Sequence, residues 1–64
     1  MAKTIRYWNT RENRYLYLYR IRPTRFTNDI SLCLKLADQE AAKASSWLTL
    51  IGINHEIVDV EGNH

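Results

Sequence analysis

The stretch Arg14-Tyr15-Leu16-Tyr17-Leu18-Tyr19-Arg20-Ile21-Arg22 constrains this chain more than any other. Its side chains alternate with period two, which suits a strand and not a helix. Tyr15, Tyr17, Tyr19 and Ile21 fall on one side, and Leu16, Leu18 and Arg20 on the other. A strand with an aliphatic side and a tyrosine side requires a sheet with two unlike faces. Pro23 ends the strand, because proline has no N–H to give to the ladder.

The other elements follow from shorter signals. Residues 4–8 are β-branched and aromatic and read as a first strand. The polar run 9–13 lacks an Asn-Gly pair, so a loop longer than two residues is expected. Residues 24–28 read as a connecting loop. Residues 29–36 alternate again, with Ile30, Leu32, Leu34 and Leu36 on one side and Ser31, Cys33 and Lys35 on the other. That period predicts a third strand over 29–36.

The period then changes. Ala37, Ala41, Ala44, Leu48 and Ile51 recur at spacings of three and four, which predicts a helix over 38–51. Asp38 is a candidate cap, with Glu40 adding negative charge where the helix dipole favours it. Gly52 is a candidate terminator, and residues 56–60 read as a short last strand. Residues 61–64 read as a frayed tail. The expected fold is α+β, in the order β-β-β-α-β. A three- to four-stranded antiparallel sheet carries one helix on one face, and the whole chain, residues 1–64, is a single small domain. The helix is expected on the Leu face, leaving the Tyr row open.

Size limits what such a domain can do. With 64 residues it buries only about 60% of the surface its unfolded chain exposes, which leaves no room for a deep two-domain cleft. The single Cys33 excludes an internal disulfide. No apolar run approaches the roughly 20 residues that span a bilayer, and residues 1–7 carry no signal-type apolar core. A cytoplasmic, membrane-free protein is expected.

Charge is segregated along the chain. Residues 1–28 hold seven cations, six of them Arg, against Glu12 alone, a net of +6. Residues 29–64 hold Lys35 and Lys43 against six acids, a net of −4. Arginine is the cation suited to gripping phosphate or a base edge, because its planar fork donates in pairs. Attraction between the two halves is the simpler alternative.

The candidate binding residues are those of the tyrosine side and the arginines around it. Tyr15, Tyr17 and Tyr19 present flat apolar rings with polar tips. Depending on register, Arg6 and Trp8, or Tyr7, stand beside them, and Arg14, Arg20, Arg22 and Arg25 flank the row along the chain. A Tyr row flanked by Arg can stack on bases, hold phosphates or anchor a protein interface, including a second copy of this chain. It can also be a half-exposed face with Arg stems lying over the rings.

No catalytic set is evident, and a non-enzymatic protein without cofactor or metal is expected. His55, His64 and Cys33 match no metal-ligand spacing. Cys33 falls in mid-strand in this reading, as a packed thiol and not a nucleophile. Trp47 lies off the helix stripe, either closing the core margin against the last strand or offering an anchor to a partner.

Two segments carry a family resemblance. Arg14-Tyr-Leu-Tyr-Leu-Tyr-Arg20 and Ile30-Ser-Leu-Cys-Leu-Lys-Leu36 precede a helix that starts Ala37-Asp-Gln-Glu-Ala-Ala-Lys-Ala44. This order resembles the arm-site DNA-binding domains of phage and transposon tyrosine recombinases, and the plant ethylene-response-factor type. The resemblance implies a sheet whose open face enters the major groove through Arg and aromatic side chains. Arg6, Trp8, Arg14, Tyr15, Tyr17, Tyr19, Arg20 and Arg22 would be the contacts. The chain differs from that family in the strand 56–60 after the helix. In size and architecture it is also similar to small phage-encoded inhibitors of host nucleic-acid enzymes and defence systems. The expected function is therefore a nucleic-acid-binding module of phage or mobile-element type, with DNA and RNA both open. A protein-binding inhibitor, of anti-CRISPR kind, is the alternative.

Overall fold

In the computed structural model, residues 2–60 are described. Strand β1 spans Ala2–Asn9, β2 Arg14–Arg20 and β3 Arg25–Thr27; helix α1 spans Asp38–Leu50 and strand β4 Glu56–Val60. The fold is α+β: a four-stranded antiparallel sheet in the order β3-β2-β1-β4 with one helix packed against it. The last strand pairs with the first, so β1 and β2 are central and the three-residue β3 and β4 are the edges.

β1 and β2 form a hairpin in which Arg6 faces Tyr17, Tyr7 faces Leu16 and Trp8 faces Tyr15. Opposed residues share a face, so Arg6, Trp8, Tyr15 and Tyr17 stand together, while Ile5, Tyr7, Leu16 and Leu18 point the other way. The connection of residues 10–13 is four residues long, as the missing Asn-Gly pair predicts. Asn13 closes it in the left-handed region, at φ 58°, which Asn tolerates better than most residues.

The helix lies on the Leu face. Ile5 and Leu18 of the sheet pack with Ala41, Ala44 and Leu48 of α1 and with Leu36, and Phe26, Leu34 and Ile53 close the margin. Alanines on the helix stripe let its backbone approach the sheet closely. The helix starts from Ala37, whose N–H donates to Glu40 Oε1 at 3.0 Å, so Asp38 is the first helical residue and not the cap. It ends in a Schellman motif: Gly52, at φ 87°, donates to the Thr49 carbonyl, and Ile53 donates to the Leu48 carbonyl.

The predicted third strand is not formed. Residues 30–32 make a 3-10 turn, because Asp29 Oδ1 accepts from both the N–H and the hydroxyl of Ser31 at 3.0 and 2.6 Å. Such local bonds offer the backbone an alternative to a ladder. Ile30 and Leu32 are consequently exposed, at 53% and 59%. Alternation survives only after Cys33, which is buried at the end of this turn. Leu34 donates to the Leu18 carbonyl and Leu36 bridges Lys3, so both leucines reach the core.

The third strand is instead Arg25–Thr27, within the segment read as a loop. Phe26 faces Leu18 and is drawn onto the core margin. β2 also ends two residues earlier than its sequence pattern, at Arg20, where the turn 21–24 begins. The frayed tail expected over 61–64 lies outside the described residues.

The two outcomes for the leucines have different energetic consequences. Leu48→Ala removes a side chain that is 1% exposed and is expected to lower unfolding stability by about 2–5 kcal/mol. Leu32→Ser is expected to change it by no more than about 0.5 kcal/mol. Urea unfolding of the two variants checks both values, and a large loss for Leu32→Ser would restore the strand.

Candidate interaction surface

The strongest candidate surface is the sheet face that the helix leaves uncovered. Tyr15, Tyr17 and Tyr19 come from β2, and Arg6 and Trp8 from β1. Tyr17 is half-buried, whereas Tyr15, Tyr19 and Trp8 are 37%, 39% and 48% exposed. Trp8 meets Tyr15 edge to face, with ring centroids 5.0 Å apart. These two rings thus brace one another across the β1–β2 pairing.

Arg6 is engaged within this face. Its Nε donates to Glu56 Oε2 at 2.6 Å, across the β1–β4 pairing where the two residues stand opposite. Its guanidinium also lies over the Tyr15 ring, 3.9 Å from the centroid. The hydrogen bond to Glu56 holds the Arg6 pKa above its ordinary value, against the opposing effect of burial. The middle of the face is therefore aromatic and locally neutral.

β4 neutralises β1 a second time on the helix side, where Lys3 Nζ binds Asp59 Oδ1. The segregation seen along the sequence is partly cancelled by this strand pairing. Among the described residues no acid lies within ion-pair distance of Arg11, Arg20, Arg22 or Arg25. Arg14 approaches Glu12 at 3.7 Å, on exposed side chains.

These arginines do not all reach the tyrosine face. A register shift between Leu18 and Arg20 places two residues of β2 against one of β3, and Arg20 then faces Arg25. This bulge sets a pair of exposed arginines at the end of the Tyr row. Arg14 faces Asn9, on the Leu16 side by alternation. Arg22 lies in the turn after β2 and lines a groove against α1. Of the nine predicted binding residues, five share the open face, Arg20 and Arg25 border it, and Arg14 and Arg22 stand apart.

Two side-chain arrangements were not legible as such in the sequence. Trp47 does not close the core against β4; its Nε1 donates to Thr24 Oγ1 at 3.2 Å and the residue is 44% exposed. His55 Nδ1 lies 2.8 Å from the Ile53 carbonyl, which can only accept, so that nitrogen carries a proton. In the neutral ring Nε2 then accepts from Ser45 Oγ at 2.6 Å. This bond ties α1 to the segment leading into β4. The spacing 45–55 offers no signal for it, because the contact depends on how the chain returns after Gly52. Among the described residues no group of three or more His, Cys, Asp or Glu could hold a metal ion, and no helix is long and apolar enough to cross a membrane.

No protein-family model, curated protein or solved structure matches the chain.

The ion pair of the outer strand has a pH signature. The hydrogen bond from Lys3 holds the Asp59 carboxyl below its ordinary value, and Ser31 does the same for Asp29. A depressed carboxyl contributes stability above its unfolded pKa of about 3.9 and loses it as pH falls through the folded value. Thermal melts between about pH 2 and pH 6 should show stability falling in the acid range. Asp59→Asn should flatten that fall, and an unchanged profile would remove the pair as a contributor.

Proposed function

We propose that the uncovered sheet face binds single-stranded nucleic acid, as a binding module without catalysis. The observation that carries this reading is the row Trp8, Tyr15, Tyr17 and Tyr19 on one sheet face, bordered by Arg20 and Arg25. Flat rings stack on bases of any sequence, at about 1–3 kcal/mol per base. Arginines at the end of the row meet the backbone phosphates. Single strands suit this face better than a duplex, whose bases are already stacked on one another. The face, with its one central arginine held by Glu56, also has few forks to insert into a groove.

The neutral centre supports a second reading. Aromatic rings around an internally paired arginine are also the composition of a protein interface, where Trp, Tyr and Arg concentrate binding energy. An inhibitor that covers a partner protein would use the same face.

Anisotropy titrations of a labelled oligonucleotide distinguish the two. Trp8→Ala and Tyr19→Ala should each weaken binding by roughly 5- to 150-fold while circular dichroism stays native. With Arg20 and Arg25 as phosphate contacts, the slope of log K against log salt should be about −1.4. Glu56→Gln should release Arg6, tighten binding and steepen the slope by about 0.7. Duplex bound as tightly as single strand, or no response to Trp8→Ala, would overturn the single-strand reading. No binding at low salt would leave the protein-partner reading.

A further inference from the structure

The helix side of the molecule carries a separate concavity. It is a groove of about 350 Å³ between the turn after β2 and helix α1. Ile21, Leu36 and Ala44 supply apolar lining, and Trp47 lines it as well. The indole is pinned: Thr24 Oγ1 donates to the Ile21 carbonyl at 2.9 Å and accepts from Trp47 Nε1. A half-exposed ring is thus held against the turn as a flat surface, in place of turning inward to the core.

The polar lining is of a definite kind. Arg22 comes from the turn and Lys43 from the helix, and among the described residues neither has an acidic partner. Glu40 also lines the groove and is held by its bond to the Ala37 N–H, which uses Oε1 and leaves Oε2 to accept from a ligand. A bare inorganic anion would leave the apolar lining unused. An uncharged ring would leave two cations unused. The lining asks for one flat ring, one anionic group and a hydrogen-bond donor on the ring.

We infer that this groove is a nucleotide site, with a base against Trp47 and a phosphate between Arg22 and Lys43. Glu40 Oε2 accepts from an amino or ring N–H group of the base. The volume is near the lower end of ligand pockets, which run from about 300 to 1,000 Å³, and suits a single nucleotide unit. A free mononucleotide and the end of a single strand present the same chemistry. In the strand-end form alone, the inference rests on the function proposed above.

Trp8→Phe leaves Trp47 as the single tryptophan, since the chain has two. Fluorescence of that variant is titrated with adenosine 5′-monophosphate, with adenosine and with inorganic phosphate. Saturable quenching by the monophosphate is expected, with adenosine and phosphate at least roughly 10-fold weaker. Arg22→Gln and Lys43→Gln, both at surface positions, should each weaken the monophosphate by roughly 10-fold or more. A titration that does not saturate, equal binding of adenosine, or indifference to both variants would overturn the inference. A 5′-phosphorylated oligonucleotide that displaces the monophosphate, where its 5′-hydroxyl counterpart does not, supports the strand end. No displacement by either supports the free nucleotide. Loss of monophosphate binding with oligonucleotide binding intact sinks this inference alone. Monophosphate binding by Trp8→Phe, with no oligonucleotide binding by the chain that keeps Trp8, sinks the function proposed for the sheet face alone.

Discussion

The contact of Ile5 and Leu18 with Ala41, Ala44 and Leu48 organises this molecule. A chain of this length has one helix to spend on one sheet, and a helix can shield only one face. Strand β2 meets that limit by carrying leucines on one side and tyrosines on the other. The leucines take the helix, and the tyrosines are left facing out. The unusual surface and the core are therefore one consequence of a single alternation.

The open face is shaped by the pairing of β4 as much as by β2. Glu56 stands opposite Arg6 and Asp59 opposite Lys3, so the acidic end of the chain neutralises the basic beginning, strand against strand. What remains is a neutral aromatic centre with arginines at its border. Such a face offers ring surface in the middle and charge at the end. The bulge next to Arg20 sharpens this division by setting Arg20 against Arg25.

Much of the frame was legible in the sequence. The period-two run identified β2 and its two faces, and the change of period at Ala37 identified α1. Gly52 marked the helix end because left-handed backbone there suits glycine. The segment 29–36 misled because its alternation of four aliphatics is a strand pattern that no partner strand completes. Asp29 and Ser31 spoil it locally, and the Asn28-Asp29-x-Ser31 cluster was the available turn signal. The short strand Arg25–Thr27 gave no period to detect, since three residues cannot show one.

The sequence by itself determined the α+β class, the single helix and the two unlike sides of β2. Those follow from periodicity, which depends only on local backbone geometry. Tertiary structure alone decided which cations stay unpaired, where Trp47 rests and what lines the groove beside it. Each of these depends on residues far apart in the chain being brought together: Arg6 with Glu56, Thr24 with Trp47, Arg22 with Lys43. No local pattern encodes such meetings, because they are set by how the helix and the last strand return to the sheet.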